Sequence, residues 1–347
     1  MLRNYNNKSV YVGIDVHKKT YFICCITEGK LVKKASCPAN PREFAHSLKK
    51  WFAGAKIYSV YEAGFSGFVL HRVLQSVGIS NMVVNPASIP IASNDRVKTD
   101  KRDAMKLATE LSLGNFEKRG NVRVPSVKEQ SRRQITRVRE QIVRTRTQVS
   151  NRIKSKLQEF GLMSRDDEAK ITHKKIKSIE QYDFPEELGF ALSMLFQQWR
   201  LLTTQLSEIR KKLKMQSQQD QKIGEIYRSL PGVGPVSERI LANELGDLKQ
   251  FKNIRAAYSY TGLTPREHSS GERQRKGHIS RQGSDRIRHV LVEVAWRAIG
   301  KDPRLKSKFE TIAAKRGKKI AIVAIARNII GRLRACHIEG QKYQICH

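Results

Sequence analysis

The sequence predicts a mixed α/β domain followed by a long helical region, and three observations carry that fold class. Residues 9–27 alternate around β-branched side chains. Between residues 30 and 114, strand-like and helix-like segments take turns. Beyond residue 127, apolar residues recur every three or four positions.

"SVYVGIDVHKKTYFICCI" reads as two strands turned at His-Lys-Lys, and "LVKKASCP" continues them as a third. "NPREFAHSLKKWFAG" opens on Asn-Pro and spaces Phe44, Leu48, Trp51 and Phe52 along one face, which predicts an amphipathic helix. "KIYSVYEAG" is a fourth strand, "GFVLHRVLQSVG" a helix and "SNMVVNP" a fifth strand. "KRDAMKLATELSLG" closes the domain as a helix ended by Gly114. The order βββαβαβα is that of the RNase H fold, a mixed sheet that begins with three antiparallel strands. This domain takes residues 1–126.

Residues 127–219 form a second segment. Ile135, Val138, Ile142, Val149, Ile153 and Leu157 follow 3–4 spacing, as do Leu195, Trp199, Leu202, Leu206, Ile209 and Leu213. Joined by the polar "MSRDDEAKITHKKIKSIEQYDFP", they predict a coiled-coil hairpin or dimerising stalk. Its first helix is strongly basic, and Arg132, Arg133, Arg137 and Arg144 are expected to meet phosphates. Residues 220–347 are mostly helical. There "LPGVGP" between two helical segments has the pattern of a helix-hairpin-helix, in which Gly232 and Gly234 let backbone N–H groups approach a phosphate. The apolar helix at 317–335 is explained by core packing.

At 347 residues the chain exceeds one typical core. Lys and Arg number 66 against 32 Asp and Glu, a net charge of +34 that calls for a polyanion, and nucleic acid fits best. No apolar run approaches 18 residues and no signal-peptide core opens the chain, so a cytoplasmic protein without membrane contact is expected. Five cysteines (24, 25, 37, 336 and 346), with no C-x-x-C spacing, argue against a disulfide framework or a structural zinc site.

Against this basic background four acids stand out. Asp15 sits within a strand that should be buried on one face, where an unpartnered carboxylate costs several kcal/mol. Glu62 ends the fourth strand. Asp100 and Asp103, at i and i+3, share one face of a helix start. Taken alone, that pair reads as helix-N-terminal acids beside Lys98, Lys101 and Arg102. Taken with Asp15 and Glu62, it reads as a site for Mg²⁺, with Mn²⁺ as the alternative, and two such ions suit in-line phosphoryl transfer.

"YVGIDVHKKTYFICCI", "YEAGFSGFVLHRVL" and "DRVKTDKRDAMKLA" resemble the acidic blocks of the DEDD transposases. These are insertion-sequence recombinases whose N-terminal domain resembles the RuvC resolvase. The run from "LPGVGPVSERIL" to "HVLVEVAWRAI" is similar to the family's second domain. The resemblance places Asp15, Glu62, Asp100 and Asp103 on the four acidic positions. It also implies a nucleophilic serine, best matched by Ser270 before Gly271, with Ser269 the close rival and Ser280 and Ser284 weaker ones. Arg266, Arg273 and Arg275 flank that serine and could hold a scissile phosphate. His268 reads as a solvent-exposed or phosphate-contacting side chain and not as a base.

What the resemblance implies is a recombinase acting on double-stranded donor and target DNA in a bacterial or archaeal cell, at the nucleoid. It implies cleavage through a phosphoserine and guidance by a structured RNA from the element's non-coding ends. It also implies a homo-oligomer, dimer or tetramer, in which the acids of one subunit meet the serine of another. A metal-only junction nuclease and a catalytically inert nucleic-acid-binding protein are the rivals.

Overall fold

The computed structural model describes residues 5–89, 99–118, 120–164, 170–267 and 276–345. By packing the chain divides into two compact units, Met1–Pro125 and Ser126–His347.

The first unit holds β1 (Ser9–Val16), β2 (Thr20–Thr27), β3 (Lys30–Pro38), α1 (Pro41–Trp51), β4 (Lys56–Glu62), α2 (Val69–Ser76), β5 (Ser80–Val84), α3 (Asp100–Ser112) and α4 (Asn115–Lys118). The sheet order is β3-β2-β1-β4-β5, with β1–β2 and β2–β3 antiparallel and β1–β4 and β4–β5 parallel. This is the mixed sheet expected from the element order. Alternation along β1 sends Val10, Val12 and Ile14 into a core with Phe44, Leu48, Leu70 and Leu74 of α1 and α2. The opposite face carries Tyr11, Gly13 and Asp15. There Tyr11 stacks on Tyr58 of β4 with ring centroids 5.4 Å apart, and α3 lies across β1 and β2.

Gly13 sets how closely α3 lies. A Cβ at this position would overlap the Ala104 carbonyl oxygen and the Ala108 amide nitrogen and would stand 3.0 Å from the Leu107 Cβ. Ala104 and Ala108 also pack with Cys24 and Ile26, so small residues on both surfaces let the helix backbone touch the strand. Cys24 and Cys25 are buried free thiols, as packed small residues should be.

The second unit holds α5 (Val127–Glu159), α6 (His173–Ile179), α7 (Glu186–Gln219), α8 (Gln221–Ser229), α9 (Pro235–Leu245), α10 (Ile254–Thr261), β6 (Pro265–Glu267), β7 (Lys276–Ile279), α11 (Asp285–Ala298), α12 (Pro303–Arg316) and α13 (Lys318–Glu339). The long helices α5 and α7 pack together through Val149, Ile153, Leu157, Leu188, Leu192, Phe196, Trp199 and Leu202. Three details refine the sequence reading. The joining segment is not merely polar, because Met163, Ile171, Ile176 and Ile179 close the end of this helix pair. Of the two readings of the seam, hairpin or dimerising stalk, the packing of α5 on α7 is that of a hairpin within the chain, with Trp199, Leu202, Leu206 and Leu213 buried. Val138 is exposed, because the N-terminal half of α5 faces α9 through polar side chains while only the C-terminal half meets the apolar pair. The helix α13 is the core element expected at 317–335, with Ile322, Ile325, Ile329, Ile330 and Leu333 buried.

Candidate active site

The acids gather at the C-terminal end of β1. Asp15 follows Gly13 on the α3 face of the sheet, and Thr99 caps α3, accepting a bond from the Arg102 N–H. Asp100 and Asp103 therefore occupy the first turn, above the strand end. Val16 points back into the core, and alternation returns His17 to the side of Asp15. The His17 N–H donates to the Thr20 carbonyl at 2.9 Å and fixes the turn into β2. His17 Nε2 then stands 3.2 Å from Asp15 Oδ2 and 3.1 Å from Asp100 Oδ2. One ligand atom from each of Asp15, His17 and Asp100 lies within 4.8 Å of the other two. The side chains are 23%, 45% and 58% exposed, so the cluster opens to solvent from a half-buried base.

Burial pushes the Asp15 carboxyl above the usual carboxylate range; His17 opposes this, while the charges of Asp100 and Asp103 add to it. Asp103 thus belongs to the same electrostatic neighbourhood, although it is not one of the three clustered ligands. Glu62 is exposed at the end of β4. The parallel ladder ends at Ile14↔Tyr61, so Asp15 and Glu62 are each the next residue on neighbouring strands. Of the four expected acids, then, Asp15 and Asp100 converge, Asp103 lies within electrostatic reach of Asp15, and Glu62 follows on the neighbouring strand. The sequence reading missed His17, whose signal was its i+2 spacing from Asp15 across a strand end.

Several basic residues expected at phosphates are engaged inside the second unit. Arg132 Nη1 pairs with Asp220 at 2.7 Å, and Arg133 Nε donates to the Asn243 carbonyl at 3.1 Å. Arg137 grips Glu244 with two bonds of 2.8 and 2.9 Å. These contacts hold α5 to α9 and to the start of α8, so Arg132, Arg133 and Arg137 each have a partner inside the unit. Arg144 and Arg266 are exposed, as are Lys101 and Arg102 on the first turn of α3.

Gly232 also has a packing reason. Its φ is 87°, and a Cβ there would stand 2.5 Å from the Val294 carbonyl oxygen of α11. Gly234, at the start of α9, meets open space. Ser284 caps α11, and Ser280 pairs with Thr264 at 3.2 Å, which gives both weaker candidates structural work. Ser269, Ser270, Arg273, Arg275, His268 and Lys98 lie outside the described residues.

Two family models match the chain. One, described as Transposase and of the IS110 DEDD type, covers residues 12–161; the other, Transposase IS116/IS110/IS902 family, covers 224–310. The first spans Asp15, Glu62, Asp100 and Asp103 together. The chain belongs to the IS110-type DEDD transposases. It is 26% identical to the transposase for insertion sequence element IS1533 of Leptospira borgpetersenii, over 94% of this chain and 95% of that protein. It is 25% identical to that of IS1111A of Coxiella burnetii, over 91% and 86%. The transposase for IS1328 of Yersinia enterocolitica is 32% identical over 46% of this chain and 47% of its own length. The protein is therefore a mobile-element transposase, a recombinase that cleaves DNA, and the family points to use of a divalent metal. Among the described residues, no helix of this transposase is long and apolar enough to cross a membrane.

The donor set at β1 and α3 fits such an ion. Two carboxylates and an imidazole converge, and a third acid raises the proton affinity of the first, a repulsion that a cation would relieve. The arginine ties make a separate prediction. The Glu244 side chain is only 3% exposed, so Arg137→Ala leaves a buried, unpaired charge and should cost about 3 kcal/mol. Earlier denaturant unfolding of the helical unit, with the salt dependence of DNA affinity unchanged, is the expected result. A phosphate contact would instead lower the salt slope by about 1 and leave unfolding alone.

Proposed function

We propose that the transposase cuts and rejoins DNA through a covalent phosphoserine at Ser270, with divalent cations held at the acid cluster. A structured RNA encoded by the element's non-coding ends would choose donor and target. The observation that supports this most is the convergence of Asp15, Asp100 and His17 on an open face of an RNase H-like sheet, with Asp103 alongside. A pure binder of phosphate gains nothing from acids gathered in a chain of net charge +34.

Bound there, Mg²⁺ or Mn²⁺ supplies Lewis-acid stabilisation of phosphoryl oxygens and of the attacking oxygen. Asp15 and Asp100 would hold the ion, with Asp103 and Glu62 as the remaining acids of the site. Exposed Lys101 and Arg102 offer nearby phosphate contacts, and Arg144 and Arg266, with Lys98, Arg273 and Arg275 by their charge alone, are further candidates for phosphate contact. In the chemical step the Ser270 oxygen bonds to phosphorus as one P–O bond of the DNA breaks. The serine proton is given up and the departing DNA oxygen acquires one. The phosphodiester energy is conserved in the new ester, so rejoining needs no nucleotide cofactor. A homo-oligomer would bring the serine of one subunit to the acids of another.

Ser270→Ala decides the chemistry. With element-end DNA, the RNA and a divalent cation, the wild type should form a denaturant-resistant protein–DNA adduct, and the variant neither adduct nor cut. Cutting by Ser270→Ala at the wild-type rate would favour the metal-only nuclease. Loss of the adduct in Ser269→Ala alone would move the nucleophile by one residue.

A further inference from the structure

We infer that His17 is a nitrogen ligand of the cation at the acid cluster, and that this ligand makes the site prefer a first-row transition ion to Mg²⁺. The inference rests on the reading of Asp15 and Asp100 as cation ligands and adds to it the choice of ion.

Geometry comes first. Ligands about 2.1 Å from an octahedral ion stand about 3.0 Å from their cis neighbours. His17 Nε2 lies 3.2 Å from Asp15 Oδ2 and 3.1 Å from Asp100 Oδ2, close to that edge on both sides. The imidazole reaches one nitrogen to both carboxylates at once. It is held there by main-chain structure, because the His17 N–H bond to the Thr20 carbonyl fixes the turn and strand alternation fixes the side. The ring is half exposed, so its contacts with the Asp15 and Asp100 carboxylates, and not core packing, hold it there in the metal-free protein.

Chemistry then selects among ions. Mg²⁺ is hard and keeps oxygen ligands and water. Imidazole nitrogen favours transition ions, and a mixed N/O set binds them in the Irving–Williams order. A site of carboxylates alone would carry less of this bias. The expectation of Mg²⁺ drawn from four acids therefore changes once the fifth side chain is counted.

Mn²⁺ serves as the probe, using the full-length protein with ¹⁵N-labelled histidine. Electron spin echo modulation should show nitrogen coupled to bound Mn²⁺ in the wild type and none in His17→Ala. Titration should show His17→Ala losing about tenfold or more in Mn²⁺ affinity, with a much smaller change for Mg²⁺. Absence of nitrogen coupling in the wild type, or its survival in His17→Ala, overturns the inference. If Asp15→Asn abolishes Mn²⁺ binding in that case, the carboxylate site itself stands. If Asp15→Asn binds Mn²⁺ as tightly as the wild type, the carboxylate site falls and His17's role with it.

Discussion

Asp15→Asn should yield a folded transposase that no longer cuts DNA. The substitution keeps the size of the side chain and removes only its charge. That charge is costly in the metal-free protein, because Asp15 is partly buried at the end of β1 and is repelled by Asp100 and Asp103. Thermal stability should therefore match or slightly exceed that of the wild type. Catalysis should move the other way. The carboxylate is the cluster's most buried ligand and the one fixed by the sheet, so its loss should lower the cleavage rate at least ~10³-fold, about 4 kcal/mol of barrier. Gel assays of cleaved element ends, run beside a melting curve, read both effects. An unstable variant would show Asp15 to be a structural residue, and a stable variant with full activity would remove it from the chemistry.

Gly13→Ala should be nearly as severe, for a different reason. One methyl group would meet the backbone of α3 at both Ala104 and Ala108, and backbone cannot rotate away as a side chain can. Either the helix lifts or the strand bends, at an expected cost of about 3 kcal/mol. Lifting α3 also carries Asp100 away from Asp15 and His17, which are anchored in β1 and its turn. Unfolding at lower denaturant, together with weakened Mn²⁺ binding by the protein that remains folded, is the expected pair of results. Cys24→Ala makes an internal comparison: it lies on the same helix–strand contact but adds no atoms, so it should spare metal binding.

How much of this was legible in the sequence depended on the range of the interaction. The strands and their order follow from alternation and turn residues, which are local, and the sheet β3-β2-β1-β4-β5 agrees with them. Asp15 was legible as a charge in a run of Val and Ile, and Asp100 and Asp103 as a helical pair. His17 was hidden because a histidine beside two lysines looks like turn surface; only the path of α3 brings Asp100 to it. Gly13 looked like any small strand residue until a helix backbone was found against it. The internal partners of the α5 arginines were hidden for a related reason. Arg132 and Arg137 meet acids 88 and 107 positions away, and no periodicity within one helix reports such partners. The short pair β6–β7 likewise went unseen, as each strand is too brief to show alternation. The seam at 195–213 was seen correctly as apolar, but its pattern could not say whether α5 of the same chain or a second copy covers it.

The central claim is that β1 and the first turn of α3 build one cation site. Anomalous diffraction from crystals equilibrated with Mn²⁺ tests it most directly. The predicted result is a peak between the carboxylates of Asp15 and Asp100, within bonding distance of His17 Nε2. Ordered density for all three side chains with no anomalous peak among them, at a concentration that fills Mn²⁺ sites elsewhere in the crystal, would contradict it.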